Sequence, residues 1–336
     1  MTSETLEARA QRGDVDAHLE LGRQYEAENN AAAARAWFAR AAKAGSVAAL
    51  RCLGINLLML EPIESDKGVN MLRAAADQGD ADAAFICANL AASDTKLPDR
   101  WKVAQQCLAV AAERGSTFAR EQLDFLETHR PDFDTLVLPQ REVFASPRIS
   151  VIEGCATQAE CDWLIARARP RLHPALVYDP MIGDGTRSTT RSNSSVAFSI
   201  FQSDIVLLLL RARIEAIVGV AHLEGSAILH YTPGQEFKPH FDFLDPDKPG
   251  HARDIKKNGQ RVATFLVYLN DDYEGGETDF PKLGWRYKGR KGDALLFWNV
   301  DTKGEADPNT HHAGLPTTKG EKWLFSQWLR QQPLKR

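Results

Sequence analysis

The sequence is short of the features on which small secreted chains, membrane proteins and nucleic-acid binders depend. Its cysteines are five (Cys52, Cys87, Cys107, Cys155, Cys161), an odd number with no Cys-x-x-Cys pair, which argues against a disulfide framework or a zinc finger. The longest purely aliphatic run, Ile205 to Leu210, falls far short of the ~20 residues that a membrane span requires. Residues 1–12 are polar and alanine-rich and carry no apolar signal core. Lys and Arg number 41 against 45 Asp and Glu, a net charge of −4, so no basic excess exists to bind a phosphate backbone. The expectation is a cytoplasmic protein that binds neither nucleic acid nor membrane. With 336 residues, 43% of them hydrophobic and 26% charged, the chain can bury a core in each of two ordinary domains.

What is present is unevenly distributed. Of 45 alanines, 29 lie in residues 1–128, whereas five of the seven tryptophans lie beyond them. The first part repeats itself: Ala41-Ala42-Lys43-Ala44-Gly45, Ala75-Ala76-Asp77-Gln78-Gly79 and Ala111-Ala112-Glu113-Arg114-Gly115 share one pattern, and Ala10-Gln11-Arg12-Gly13 is a partial copy. The glycines are 32, 34 and 36 residues apart, and small and apolar positions between them recur at three- and four-residue steps. This period predicts two amphipathic helices per unit, stacked as a helical solenoid over residues 1–130. The Ala-Ala-x-x-Gly and Leu-Gly elements resemble Sel1-like repeats, relatives of the tetratricopeptide class. Prolines 131, 139 and 147 punctuate a predicted linker, 131–148, and a second domain is expected over 149–336. There, Thr157 and Glu160 form a capping-box pattern ahead of a helix.

The second part carries the chemistry. His240 and Asp242 are two apart, which on a strand points both side chains to one face. One distant histidine, His311 or His312, would complete two imidazoles and one carboxylate, the facial set of non-haem Fe(II) oxygenases. Ten residues beyond His312, Lys322 opens an aromatic strand in which Lys322, Leu324, Ser326 and Trp328 share a face. A lysine so directed into a sheet interior needs an anionic partner. A dicarboxylic cosubstrate that chelates iron at one end and pairs with the lysine at the other meets that need.

Seven elements occur in order between about 149 and 329: Tyr-x-x-Gly-Gln, His-x-Asp, Gly-Gln-Arg-x-x-Thr, Gly-Gly-Glu-Thr-x-Phe-Pro, Lys-Gly-Asp-Ala-x-x-Phe, His-Ala-Gly-x-Pro and Gly-x-Lys-Trp. This part of the chain resembles the prolyl 4-hydroxylases, members of the Fe(II)/2-oxoglutarate dioxygenases. The resemblance implies a double-stranded β-helix, or jelly roll, following the helical repeats. It implies Fe(II), 2-oxoglutarate and O₂, with L-ascorbate as reductant, and hydroxylation of an unactivated C–H bond with release of succinate and CO₂. It assigns iron to His240, Asp242 and His312. It places the distal carboxylate of 2-oxoglutarate on Lys322, with Tyr231, Thr264 and Trp328 also against the cosubstrate, and it puts Arg191, Phe237 and Arg261 on the substrate side. Phe237 stands where peptide hydroxylases of the family often carry tyrosine. The charged stretch 245–258, read as a loop, is placed to cover the site.

Three functions follow from these readings. The first is hydroxylation of a prolyl or other residue in a peptide or protein docked on the repeats. The second is hydroxylation of a free amino acid or small metabolite, with the repeats as a brace. The third is a non-catalytic repeat scaffold, which the intact His240, Asp242, His312 and Lys322 set disfavours.

Overall fold

The computed structural model describes residues 5–60, 63–133, 137–181, 183–187, 189–219 and 222–333. The chain forms two compact units. One comprises Met1–Pro131 together with Ile200–Leu208, and the other Asp132–Ser199 and Leu209–Lys335.

The described residues of the first unit hold four helix pairs: Leu6–Gln11 with Val15–Ala27, Ala31–Lys43 with Val47–Met59, Ser65–Asp77 with Ala81–Ser93, and Arg100–Glu113 with Thr117–His129. The repeated glycine explains the turn inside each pair. Gly13, Gly45, Gly79 and Gly115 all adopt positive φ, between +86° and +107°, a region that favours glycine. The next residue in each case, Asp14, Ser46, Asp80 or Ser116, caps the following helix by accepting a backbone N–H from Ala17, Ala49, Ala83 or Ala119. One Gly-Asp or Gly-Ser dipeptide therefore ends a helix and starts the next. Leu97-Pro98-Asp99 lies between pairs, where Asp99 takes a left-handed conformation immediately before the helix Arg100–Glu113.

Small residues let the helices approach closely. A Cβ on Gly54 would sit 2.8 Å from Leu72 Cγ and 2.9 Å from the Gly68 carbonyl. Gly54→Ala is therefore expected to destabilise the protein by about 1–3 kcal/mol through overpacking. Thermal or urea unfolding checks this, and an unchanged midpoint would mean that the two helices part without cost.

The segment Ile200–Leu208 is built into this unit by specific bonds. Asn89 Nδ2 donates to the carbonyls of Ile200 (3.0 Å) and Ser203 (2.9 Å), and Gln122 Oε1 accepts from the Ile205 amide (2.9 Å). Phe201 packs on the cluster of Leu72, Ala75, Ala83 and Ile86. The aliphatic run Ile205–Leu210 is the start of the helix Ile205–Val218, and all six side chains are buried.

In the second unit, eight described strands form one antiparallel sheet, in the spatial order Arg141–Ala145, Arg148–Ile152, Ala294–Trp298, Arg261–Tyr268, Lys322–Arg330, Ala227–Tyr231, Ser194–Ala197 and His173–Pro174. Four more, Trp285–Tyr287, Thr278–Phe280, His312–Gly314 and Phe237–His240, form a second antiparallel sheet. Side chains from both sheets make one core, including Val151, Leu229, Tyr231, Leu266, Phe280, Phe297 and Leu324. This is the jelly-roll arrangement of two facing sheets. The helix Gln158–Ala168 begins with a complete capping box: Thr157 Oγ1 accepts the Glu160 amide, and Glu160 accepts the Thr157 amide.

Two stretches differ from the sequence reading. Of the predicted linker 131–148, residues 134–136 lie outside the described residues, and 141–145 form an edge strand paired antiparallel with Arg148–Ile152. Prolines at 139 and 147 flank that strand without interrupting it. The charged stretch 245–258 is mostly helix rather than loop: Pro249–Asn258 is helical, with proline in its first turn and Gly259 (φ +75°) just past its end. Arg330 Nη2 holds it through Asp254 (2.8 Å), and the Gly250 amide donates to the Pro180 carbonyl (2.8 Å).

Candidate active site

The two short strands Phe237–His240 and His312–Gly314 pair antiparallel with His240 directly opposite His312, their ring centroids 4.3 Å apart. Two residues beyond His240, Asp242 closes the group. Its Oδ1 lies 3.6 Å from His240 Nε2 and its Oδ2 3.6 Å from His312 Nε2. One donor atom from each of the three residues falls within 4.8 Å of the others.

The tautomers are set by the backbone. His240 Nδ1 lies 2.8 Å from the Lys238 carbonyl, and His312 Nδ1 lies 2.9 Å from the Thr310 carbonyl. A carbonyl only accepts, so both Nδ1 atoms carry the proton and both Nε2 lone pairs face Asp242. Burial, reinforced by the neighbouring His240 ring, lowers the His312 pKa to about 4, so this imidazole is neutral near pH 7. Burial disfavours charge on Asp242, and the Thr264 hydroxyl, which donates to Oδ2, favours it. Two imidazoles and one carboxylate, each with its outer atoms tied down, suit a divalent iron.

Lys322 lies across from Tyr231 on adjacent strands and is 1% exposed. Its Nζ donates to the Gly276 carbonyl (2.7 Å) and sits 5.2 Å from the Tyr231 ring centroid. The Tyr231 hydroxyl in turn is 3.7 Å from where a Gly314 Cβ would stand, on the strand that carries His312. Gly276, at φ +70°, leaves room beside Lys322, since a Cβ there would be 3.3 Å from Lys322 Cδ. Burial pushes the Lys322 ammonium down to about 7. An anion beside it would restore the charge, which is what the distal carboxylate of a dicarboxylic cosubstrate supplies.

The remaining expected site residues divide. Arg191 sits over the Phe237 ring (4.6 Å), and that ring stacks on His240 at 3.6 Å and 18°. Arg191 Nε is held by Asn193 Oδ1 (2.7 Å). Thr264, expected as a cosubstrate contact, directs its hydroxyl to Asp242 Oδ2 (2.7 Å) instead. Trp328 is Thr264's cross-strand neighbour and lies under the Arg261 guanidinium (3.7 Å). Arg261, expected on the substrate side, is buried and makes a two-pronged pair with Glu224 (2.7 and 3.0 Å). The sequence reading missed Asn193, Glu224 and Asn299, whose Nδ2 donates to Thr264 Oγ1 (3.0 Å). Each acts through a partner, and no spacing rule marks it.

Comparison with known proteins agrees with this geometry. Residues 226–330 match the 2OG-Fe(II) oxygenase superfamily. Prolyl 4-hydroxylase 1 of Arabidopsis thaliana is 37% identical over 203 residues, which cover 56% of this chain and 70% of that protein. Among solved structures, the viral collagen prolyl hydroxylase of Paramecium Bursaria Chlorella virus-1, in its 2OG complex, is 29% identical over 54% of this chain and 94% of its own, with a TM-score of 0.42. A Sel1 repeat protein from Oxalobacter formigenes is 24% identical over 35% of this chain and 94% of its own, with a TM-score of 0.31. The paired sheets, the His-Asp-His group and the superfamily match define a 2-oxoglutarate-dependent Fe(II) dioxygenase. The chain belongs to the prolyl 4-hydroxylase family.

Proposed function

We propose that the enzyme hydroxylates prolyl residues in a peptide or protein. The observation that carries this reading is the convergence of His240, Asp242 and His312 on one group, with Tyr231 and Lys322 continuing the same interior. His240, Asp242 and His312 hold Fe(II), and Lys322 takes the distal carboxylate of 2-oxoglutarate, with the Tyr231 hydroxyl beside it. Together with O₂, this pair supplies the oxidant that inserts one oxygen atom into a C–H bond, releasing succinate and CO₂. The protein's share is orientation: Thr264 fixes Asp242, backbone carbonyls fix both imidazoles, and the aromatic core around His312 excludes water. Arg191 and Phe237 border the side from which a substrate approaches. L-ascorbate would serve as the reductant that keeps the iron ferrous, and the helical repeats would dock the protein substrate, raising its effective concentration at the barrel.

The test is succinate formation with Fe(II), 2-oxoglutarate and O₂ in the presence of proline-containing peptides, free amino acids and a proline-rich protein. The expected result is a product heavier by one oxygen, located on proline by fragmentation, with the protein preferred over a short peptide of the same sequence. Oxygen insertion into free amino acids alone would refute the peptidyl reading.

A further inference from the structure

Asp242 does more than present a carboxylate; one of its two oxygens is already spoken for. Thr264 Oγ1 lies 2.7 Å from Asp242 Oδ2 and is fully buried with it. An ionised carboxylate has no proton to give, so the hydroxyl hydrogen must point at Oδ2. The Thr264 oxygen can then only accept, and Asn299 Nδ2 donates to it at 3.0 Å. Asn299 is 0% exposed, and its Oδ1 has no hydrogen-bond partner among the described residues. A buried amide thus leaves its own oxygen unsatisfied, at a cost of roughly 1–3 kcal/mol, while its NH₂ is committed to Thr264. The backbone fixes it there: the Asn299 amide donates to the Val262 carbonyl (2.8 Å), and its carbonyl accepts from Asp307 (3.0 Å). The three members come from different segments, Asn299 just beyond the strand Ala294–Trp298, Thr264 from Arg261–Tyr268, and Asp242 two residues past Phe237–His240.

We propose that Thr264 and Asn299 are positioning residues that keep Asp242 a one-oxygen ligand. With Oδ2 held by the hydroxyl, Oδ1 would be the atom offered to the metal, leaving room on it for the keto acid and O₂. Without the hydroxyl, Oδ2 is a buried charged oxygen without its partner, and it would be free to turn to a bound metal. The carboxylate then binds through both oxygens and takes a position that 2-oxoglutarate needs. This inference rests on the iron and cosubstrate reading above. It makes an unusual demand: removing a side chain behind a ligand should weaken the cosubstrate, not the metal.

The experiment is anaerobic titration of the full-length Fe(II)-loaded protein with 2-oxoglutarate, followed by the visible charge-transfer absorption of the chelated keto acid, with Fe(II) affinity measured separately by dialysis. Thr264→Val keeps the shape and removes the hydroxyl. The expected result is 2-oxoglutarate affinity down by about 10–100-fold, the range typical for groups that support metal ligands, with Fe(II) affinity unchanged or higher. Thr264→Ser should restore wild-type binding, and Asn299→Ala should shift it in the same direction by a smaller factor. Parallel loss of iron and cosubstrate, or wild-type titration by Thr264→Val, overturns the proposal. If the wild-type protein develops no charge-transfer band, the cosubstrate reading itself fails, and this inference with it.

Discussion

Alanine at His312 is expected to abolish 2-oxoglutarate turnover and iron binding, while alanine at the adjacent His311 retains most of both. The two residues differ in everything but identity. His312 is 5% exposed, pairs across the strands with His240, and has its ring orientation set by the Thr310 carbonyl and by Phe297 at 4.7 Å. His311 instead packs at 4.7 Å on Phe241, a residue 39% exposed. His312 opens the strand His312–Gly314, whereas His311 lies in the turn after Pro308–Thr310, and only the former is grouped with His240 and Asp242. Alanine at His240 or Asp242 should match the His312 variant, because each supplies one of three donors. Succinate formation and equilibrium dialysis with Fe(II) provide the measurements. Equal loss at His311 and His312, or the reverse ranking, would shift the site by one residue and sink the assignment.

How much of this was readable beforehand depended on whether a feature is local. The turn-and-cap dipeptides of the repeats are local, and so their period was legible as a helical solenoid. His240 and Asp242 are two apart, and Lys322 sits in a strand whose alternation announces its direction, so three of the key side chains could be placed from spacing alone. What reads those side chains is not local. Asn299 and Thr264 are 35 residues apart, Thr264 and Asp242 are 22 apart, and only strand register brings them together. The pairing of Arg261 with Glu224 across 37 residues was equally hidden, and it commits an arginine that the motif alone would send to the substrate. The helix Pro249–Asn258 was missed although its proline start and glycine stop were both present, because its charges outnumber its apolar residues. The aliphatic run at 205–210 could be excluded as a membrane span, but the bonds that tie Ile200–Leu208 into the first unit, from Asn89 and Gln122, span 83 to 114 residues of sequence.

Lys322 gives the prediction that most directly joins burial to function. Burial, aided by the Lys288 ammonium and opposed by Glu277, lowers its pKa from 10.5 to about 7 in the protein without cosubstrate. A bound carboxylate favours the charged form, so binding raises that pKa and draws in a proton whenever the free lysine is neutral. The direction is therefore fixed. Below pH 7 the lysine is already charged and affinity for 2-oxoglutarate is flat; above pH 7 affinity falls, approaching about tenfold per pH unit, since one unit is worth about 1.4 kcal/mol. Stability moves the opposite way. The folded pKa lies below the unfolded value, so the unfolded chain binds more protons between about 7 and 10.5, and this residue alone makes the fold more stable as pH rises through that window. Lys322→Ala should remove the pH dependence of binding and weaken 2-oxoglutarate by ~3–5 kcal/mol, the cost of stranding one partner of a buried pair, or roughly two to nearly four powers of ten. Fe(II) affinity without cosubstrate should change little, because the lysine touches no metal ligand and its bonded neighbour is the Gly276 carbonyl. Calorimetric titration of 2-oxoglutarate in buffers of different ionisation enthalpy counts the proton directly. Uptake approaching one proton at pH 8 and little at pH 6 is the expected pattern; no uptake at either pH would show that Lys322 does not face the cosubstrate.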